Sequence, residues 1–360
     1  MPEQRKIREV TFSGSAFERG FQRGQRLRET LVVTSVQGVT PEFVQACFEA
    51  ATAAFPPVVD EFEGIVQGGG FDREAMMPYY FARVESRLGG CTMFAVDSEH
   101  RAGGDGPIVG RNYDWAVSDL RWCELQRVLL ADGPRRIGYT HHWAGCADVL
   151  TEKGLYVAIA SLPPADIEAP GVQWNTVMEM MAEQCRTVSE AVEACAAVRH
   201  LRPMSYLVAD AAGGIGVLEA TPREVRFRPP TEGMVLAANV PQGGRLVSNR
   251  TREKPRYVLP KPIRLAPPNY RSGALARARR RVERARALLN AAASLISEDD
   301  VAAVLADHEG PICTGDHTHP DGAPWGTIWS GMCAPAEGRF CIAPGLPCRH
   351  GYQCFTLARR

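Results

Sequence analysis

Leu88-Gly89-Gly90-Cys91-Thr92-Met93-Phe94-Ala95-Val96 is the point at which the chain changes character. Upstream, apolar residues recur at helical spacing. Downstream come short apolar or β-branched runs, 91–96 (CTMFAV), 107–115 (PIVGRNYDW), 125–132 (LQRVLLAD), 135–141 (RRIGYTH) and 154–161 (GLYVAIAS), each bounded by Gly, Asp or Pro. Such runs read as strands, so a sheet begins at Cys91. Glycines before a thiol permit backbone conformations closed to other residues. A strained peptide bond there is open to attack by that thiol, an N-to-S acyl shift and hydrolysis, which leaves Cys91 as a new N-terminus. The freed α-amine, with an ordinary pKa of about 7.7–8.0, can then act as base for its own thiol without a histidine.

Toward the N-terminus the first ninety residues read as mainly helical. Ser15-Ala16-Phe17-Glu18 opens a Phe17/Phe21/Leu27/Leu31 pattern, and Gly20 and Gly24, four apart, leave room for something to pack closely. Further helices are expected over 41–66 and 72–88. Toward the C-terminus helical spacing returns from Asn175 to Val198, followed by strand, Gly-rich turn, strand and strand over 205–229. Ser272 to Ile296 reads as a helix with an Arg-rich face, and Ser297-Glu298-Asp299-Asp300 as the cap of another. Final strands are expected over 326–335, 338–345 and 352–357. Helices, sheet, helices and sheet without regular βαβ units indicate α+β rather than a doubly wound parallel sheet.

The 360 residues are 45% hydrophobic and 23% charged, enough to bury a full core, and no repeat or low-complexity tract divides them. Lys+Arg and Asp+Glu are both 41, so no broad field attracts nucleic acid or an anionic membrane. The start MPEQRKIREV lacks the apolar stretch of a secretory signal, and no run of about 18 apolar residues suggests a membrane span. A cytoplasmic protein is expected. Eleven scattered cysteines, an odd number, argue against a disulfide framework.

GGCTMFAV followed by Gly110-Arg111-Asn112-Tyr113-Asp114-Trp115 resembles the linear-amide C–N hydrolases of the N-terminal-nucleophile superfamily. That group includes choloylglycine hydrolases, acid ceramidase-like amidases and the autoproteolytic acyltransferases resembling isopenicillin N acyltransferase (peptidase C45). The last branch is most similar. Gly14-Ser15-Ala16-Phe17-Glu18-Arg19-Gly20 resembles its early element, and Glu152-Lys153-Gly154-Leu155, Cys185 to Ala191, Val208-Ala209-Asp210, Glu219 and Ala306 to Gly310 with Ile312-Cys313 follow as landmarks in order. The resemblance implies a four-layer αββα sandwich of two antiparallel sheets. Residues 1–90 form a helical propeptide or light chain and 91–360 the catalytic heavy chain, the two remaining associated in one domain after the cut.

It also implies roles. Cys91 is the nucleophile and its α-amine the base; Asp114 orients that amine; Arg111 near the thiol favours thiolate and keeps Asp114 charged, provided a bend puts both on one face, since an offset of three is odd in a regular strand. Asn239 supplies the oxyanion hole, although Ala238 stands where the family has Thr. Ser161 replaces an Asn common in choloylglycine hydrolases. Ser272 lacks the Arg of a Ser-x-x-Arg element, and Arg277, Arg279, Arg280 and Arg281 crowd just after it. The expected activity is transfer or hydrolysis of an acyl group at a linear amide through an acyl-Cys91 intermediate, with a small-molecule amide or acyl donor, an amine as acceptor and no cofactor. The alternatives are an amidohydrolase on peptides or N-acyl amino acids without transfer, and a binding protein that keeps the fold without chemistry.

Each residue has a plainer reading outside that context: Cys91 as a small buried thiol, Arg111 and Asp114 as an ion pair at a strand end, Asn239 as a turn residue before Pro241. His141-His142 and Asp316-His317-Thr318-His319 lack zinc-site spacing and read as loop or core histidines, so no metal is expected. Cys333, Cys341, Cys348 and Cys354 contain no CxxC pair and read as structural thiols. The Arg-rich stretch 271–286 reads as a solvated helix face.

Overall fold

Strands whose side chains alternate between two buried faces set the architecture. The computed structural model describes residues 5–29, 38–83, 90–141, 145–163, 167–255, 257–259, 268–292, 295–315, 317–318 and 322–358. One nine-stranded sheet runs in the order β1 (Glu9–Gly14), β4 (Cys123–Leu130), β5 (Arg136–His141), β6 (Asp148–Thr151), β7 (Leu155–Ser161), β8 (Met204–Asp210), β9 (Ile215–Ala220), β10 (Glu224–Arg228) and β12 (Arg245–Asn249). A second, seven-stranded sheet runs β11 (Met234–Ala238), β2 (Gly90–Val96), β3 (Ile108–Ala116), β14 (Pro324–Ala334), β15 (Arg339–Ala343) and β16 (Gln353–Thr356), with β13 (His317–Thr318) beside β14. Every pairing is antiparallel except β1 with β4.

On β2, Cys91, Met93 and Ala95 turn toward the other sheet, while Phe94 and Val96 enter a separate apolar cluster with Ala285, Leu289, Val301 and Leu305. Strands covered on both faces read as unbroken apolar runs, which is how they appear in the sequence. The inner faces meet through β2 and β11 against β7, β8 and β9. Helices α5 (Trp174–Gln184) and α6 (Val188–Ala197) cover the nine-stranded sheet; α7 (Pro268–Ala291) and α8 (Glu298–Leu305) cover the other. The layers are αββα, as expected.

The N-terminal part differs in four ways from its sequence reading. It is not only helical: β1 adds a parallel edge strand to the large sheet. The helix expected over 41–66 is two, α2 (Pro41–Ala54) and α3 (Pro57–Gly69), because Pro56 and Pro57 lack the N–H a continuous helix requires. α4 (Arg73–Phe81) ends before 88, and 84–89 lie outside the described residues. Helix α1 (Ala16–Leu27) has the capping box expected at Ser15 and Glu18. Its buried face, however, is Arg19, Gly20, Arg23, Gly24 and Leu27; Phe17 is 39% exposed and Leu31 lies outside the described residues. The helix expected over 175–198 is likewise two, α5 and α6, with a second capping box at Thr187 and Glu190; Asp300 completes a third at Ser297.

Glycine accounts for the α1–α3 crossing. A Cβ on Gly24 would lie 2.3 Å from the Ile65 carbonyl oxygen, one on Gly64 2.2 Å from that of Phe17 and one on Gly68 2.0 Å from that of Phe21, so backbone touches backbone along a seam. Beside it, Arg23 faces Glu61 (3.3 Å) and Gln126 (3.1 Å), Arg19 pairs with Glu183 (3.0 Å) and Arg26 with Glu124 (3.1 Å). All of these except Arg23 with Glu61 join residues on either side of Gly90.

Among the expected structural thiols, Cys341 and Cys354 form a disulfide between directly paired residues of β15 and β16, while Cys333 is a buried thiol and Cys348 is exposed. Buried His141 packs among Tyr113, Trp115 and Trp329, as a core histidine, while His142 lies outside the described residues. Among the described residues no helix is long and apolar enough to cross a membrane.

The seam predicts that Gly24→Ala lowers stability by about 1–3 kcal/mol, the cost of overpacking. Gly273→Ala, on α7 with nothing within 4 Å of the added methyl, is expected to be neutral or stabilising. Urea unfolding midpoints that fall equally for both, or for neither, would contradict the backbone contact.

Candidate active site

The ladder between β2 and β3 pairs Gly90 with Asp114, Cys91 with Tyr113 and Met93 with Arg111, without a slip. The bend expected between Arg111 and Asp114 is therefore absent from β3; the register shift lies in β14, between Thr327 and Trp329. An unbroken strand puts residues three apart on opposite faces. Arg111 points between the sheets, on the side of the Cys91 thiol. Asp114 points with Asn112 toward α7 and α8, where Asn112 donates to the carbonyls of Leu305 (2.8 Å) and Ile312 (2.9 Å).

Arg111 is fully buried, its Nη2 3.9 Å from Cys91 Sγ and donating to the Ile159 carbonyl at 2.7 Å. Its ion-pair partner is Asp148, not Asp114. Asp148 in turn accepts from Trp329 Nε1 at 2.8 Å, and the guanidinium lies over the rings of Tyr113 (4.6 Å) and Trp329 (5.4 Å). A buried arginine requires such a partner, since an uncompensated charge there costs several kcal/mol. Asp148 is the residue sequence reasoning missed. Its signal is a lone acid within the apolar run Cys146-Ala147-Asp148-Val149-Leu150.

On the other face Asp114 accepts from Thr327 Oγ1 at 2.7 Å, and Thr327 Oγ1 accepts from the Thr314 backbone N–H at 3.0 Å. Burial raises the Asp114 carboxyl to about 6, against the opposing pull of Arg281, the Thr327 hydrogen bond and Arg111. A Cβ on Gly90 would lie 2.7 Å from Asp114 Oδ2, so this carboxylate excludes any side chain at the residue before Cys91.

Between the two faces the Cys91 N–H donates to Asn239 Oδ1 at 2.6 Å. Asn239 follows β11, and its carbonyl also accepts from Arg281 Nη2 at 2.9 Å; the same guanidinium nitrogen is 3.4 Å from the Cys91 carbonyl oxygen. Two donor-only neighbours fix the amide orientation. Asn239 Nδ2 consequently points away, to Ser161 O (2.8 Å) and Ser161 Oγ (3.1 Å). Of the four arginines after Ser272, only Arg281 reaches the site. It shares the buried stripe of Ala278, Ala285 and Leu289, whereas Arg277, Arg279 and Arg280 are exposed. The Arg-rich face of α7 is thus not wholly solvated, and helical spacing was the signal that could have selected Arg281.

Burial pushes the Cys91 thiol up to about 11, with Arg111 opposing it. In the continuous chain this sulfur is a thiol, held beside a guanidinium that would stabilise its anion.

The family model described as acyl-coenzyme A:6-aminopenicillanic acid acyl-transferase matches residues 101–347. No curated protein matches the chain. Among solved structures, a mutant conjugated bile acid hydrolase from Clostridium perfringens has 12% identity and a TM-score of 0.46, covering 75% of this chain and 98% of that one. Penicillin V acylase from Agrobacterium tumefaciens has 14% identity and a TM-score of 0.42, covering 71% and 83%.

The folded carboxyl of Asp114 lies above its ordinary value, so its ionisation costs stability above about pH 6, a cost that fades as pH falls toward the unfolded value. Carbon NMR of labelled aspartate in the uncut chain should find one carboxyl titrating near about 6. Thr327→Val, which removes a bond to the charged form, should move it upward. Titration at an ordinary value, unmoved by that substitution, would contradict the geometry.

Proposed function

This chain belongs to the acyl-coenzyme A:6-aminopenicillanic acid acyl-transferase family, and from that premise we propose that it cuts itself between Gly90 and Cys91 and uses the exposed Cys91 to transfer or hydrolyse an acyl group at a linear amide. The observation that carries the reading is the convergence on Cys91: Arg111 3.9 Å from its sulfur, Asn239 2.6 Å from its nitrogen, and Asp114 pressed against Gly90.

In the cut, Cys91 Sγ attacks the Gly90 carbonyl carbon. The S–C bond forms, the C–N bond breaks, and the thiol proton ends on the Cys91 nitrogen. Water then opens the thioester, giving the Gly90 carboxyl and restoring the thiol. The light chain, 1–90, stays with the heavy chain, 91–360: β1 pairs with β4 across the cut, and Arg19, Arg23 and Arg26 reach Glu183, Gln126 and Glu124.

Departure of Gly90 clears the space beside Asp114 Oδ2 next to the new α-amine, which Asp114 then orients together with Asn239 Oδ1. An amine with an ordinary pKa of about 7.7–8.0 takes the thiol proton and later returns it to the leaving amine. Arg111 stabilises the thiolate, with Asp148 and Trp329 holding it in place. Asn239 is the oxyanion donor in this reading through Nδ2, which must release the 3.1 Å bond to Ser161 Oγ to reach a substrate. The acyl-Cys91 thioester passes to an amine acceptor or to water, and whether the acyl product appears as a new amide or as a free acid separates transfer from hydrolysis.

Intact-mass measurement of wild-type protein should find a light chain ending at Gly90 and a heavy chain beginning at Cys91, co-eluting on a sizing column, whereas Cys91→Ala remains one full-length chain. Active protein consisting only of uncut chain would overturn the mechanism.

A further inference from the structure

The turn after α8 and the loop between β15 and β16 meet at residues that the chemistry at Cys91 does not use. Asp307 accepts from Arg284 Nε (3.0 Å) and Nη2 (2.7 Å) and from the Gly310 N–H (2.7 Å), and its backbone carbonyl accepts from the Cys313 N–H (2.8 Å). Glu309 pairs with the same Arg284 at 2.7 Å. The neighbouring acids are thus committed to Arg284, while His308 stands exposed between them. Opposite, the Arg349 and His350 N–H groups both donate to the Leu346 carbonyl, at 2.9 and 3.0 Å, and shape the loop that presents Cys348.

The ligating atoms of His308, Cys313 and Cys348 all lie within 4.8 Å of one another, and among the described residues this is the one place where three such donors converge. The two sulfurs are 3.7 Å apart. A tetrahedral zinc ion with Zn–S bonds of about 2.3 Å places two thiolates about 3.8 Å apart, the spacing already present. Two sulfurs and an imidazole form the soft donor set that selects zinc-class ions over calcium or magnesium. Exposure of His308 and Cys348 gives an ion a path in and leaves its fourth position to water.

We propose that His308, Cys313 and Cys348 bind one zinc-class divalent ion, pinning the turn after α8 to the loop between β15 and β16. The site is independent of the chemistry proposed at Cys91, yet it adjoins the support of Asp114, because Cys313 leads directly into Thr314, which donates to Thr327. Sequence spacing conceals it, the three ligands being five and thirty-five residues apart with no CxxC pair.

Cobalt(II) is a suitable probe, added to the full chain after reduction and removal of metal by chelator. One equivalent should bring up thiolate-to-cobalt charge-transfer and tetrahedral d–d absorption, and zinc should displace it. The bands should persist in Cys91→Ala. Cys348→Ser, at an exposed position, should lose about half of the charge-transfer intensity, and both it and His308→Ala should weaken apparent affinity by at least about 10-fold. No thiolate–cobalt band in the reduced chain, or bands unchanged by Cys348→Ser, would overturn the proposal, as would bands lost in Cys91→Ala.

Discussion

Gly90 opposite Asp114 in an unbroken antiparallel ladder is the constraint from which the site follows. That register sends the Cys91 sulfur to one face, toward Arg111, and the Asp114 carboxyl to the other, toward α7, with the Cys91 nitrogen between them. It also makes residue 90 a glycine, because Asp114 occupies the space a side chain would need. The carboxylate and the guanidinium, expected as a pair on one side of the thiol, instead flank the Cys91 backbone from two sides. Each accordingly has its own partner, Thr327 for Asp114 and Asp148 for Arg111.

The separation keeps two charge systems apart. Between the sheets, Arg111, Asp148 and the Trp329 indole form a closed buried set in which the guanidinium is held against Tyr113 and aimed at sulfur. On the helical side, Arg281 holds Asn239, and Asn239 holds the Cys91 N–H. The outer helical layer thus reaches Cys91 through two hydrogen bonds, and the large sheet reaches the same asparagine through Ser161 at the end of β7. Three of the four layers, the α7 side and both sheets, thus meet at Cys91.

Much of this was legible from residues. Strands over 91–96, 107–115 and 154–161 are where their apolar runs placed them, and Cys91, Arg111, Asp114 and Asn239 come together. What was not legible depended on contacts across layers. Asp148 meets Arg111 from another sheet, and nothing in its spacing announces that. β1 is a half-exposed six-residue edge strand whose pattern is too short to stand against a helical surrounding. Arg281 could have been selected, since it alone among its neighbouring arginines falls on the stripe of Ala278, Ala285 and Leu289. Asn239 was assigned by type and not by orientation, and only its neighbours reveal that its carbonyl faces the Cys91 N–H.

The central claim is that acyl groups are carried on Cys91 as an N-terminal residue. Acid quenching of turnover with an acyl-amide donor, followed by peptide mapping, tests it most directly. The acyl mass should be found as a thioester on the peptide whose first residue is Cys91, and should vanish when an acceptor amine is added in excess. Product formation with the acyl mass on another cysteine, or on a peptide that still contains Gly90 joined to Cys91, would contradict it.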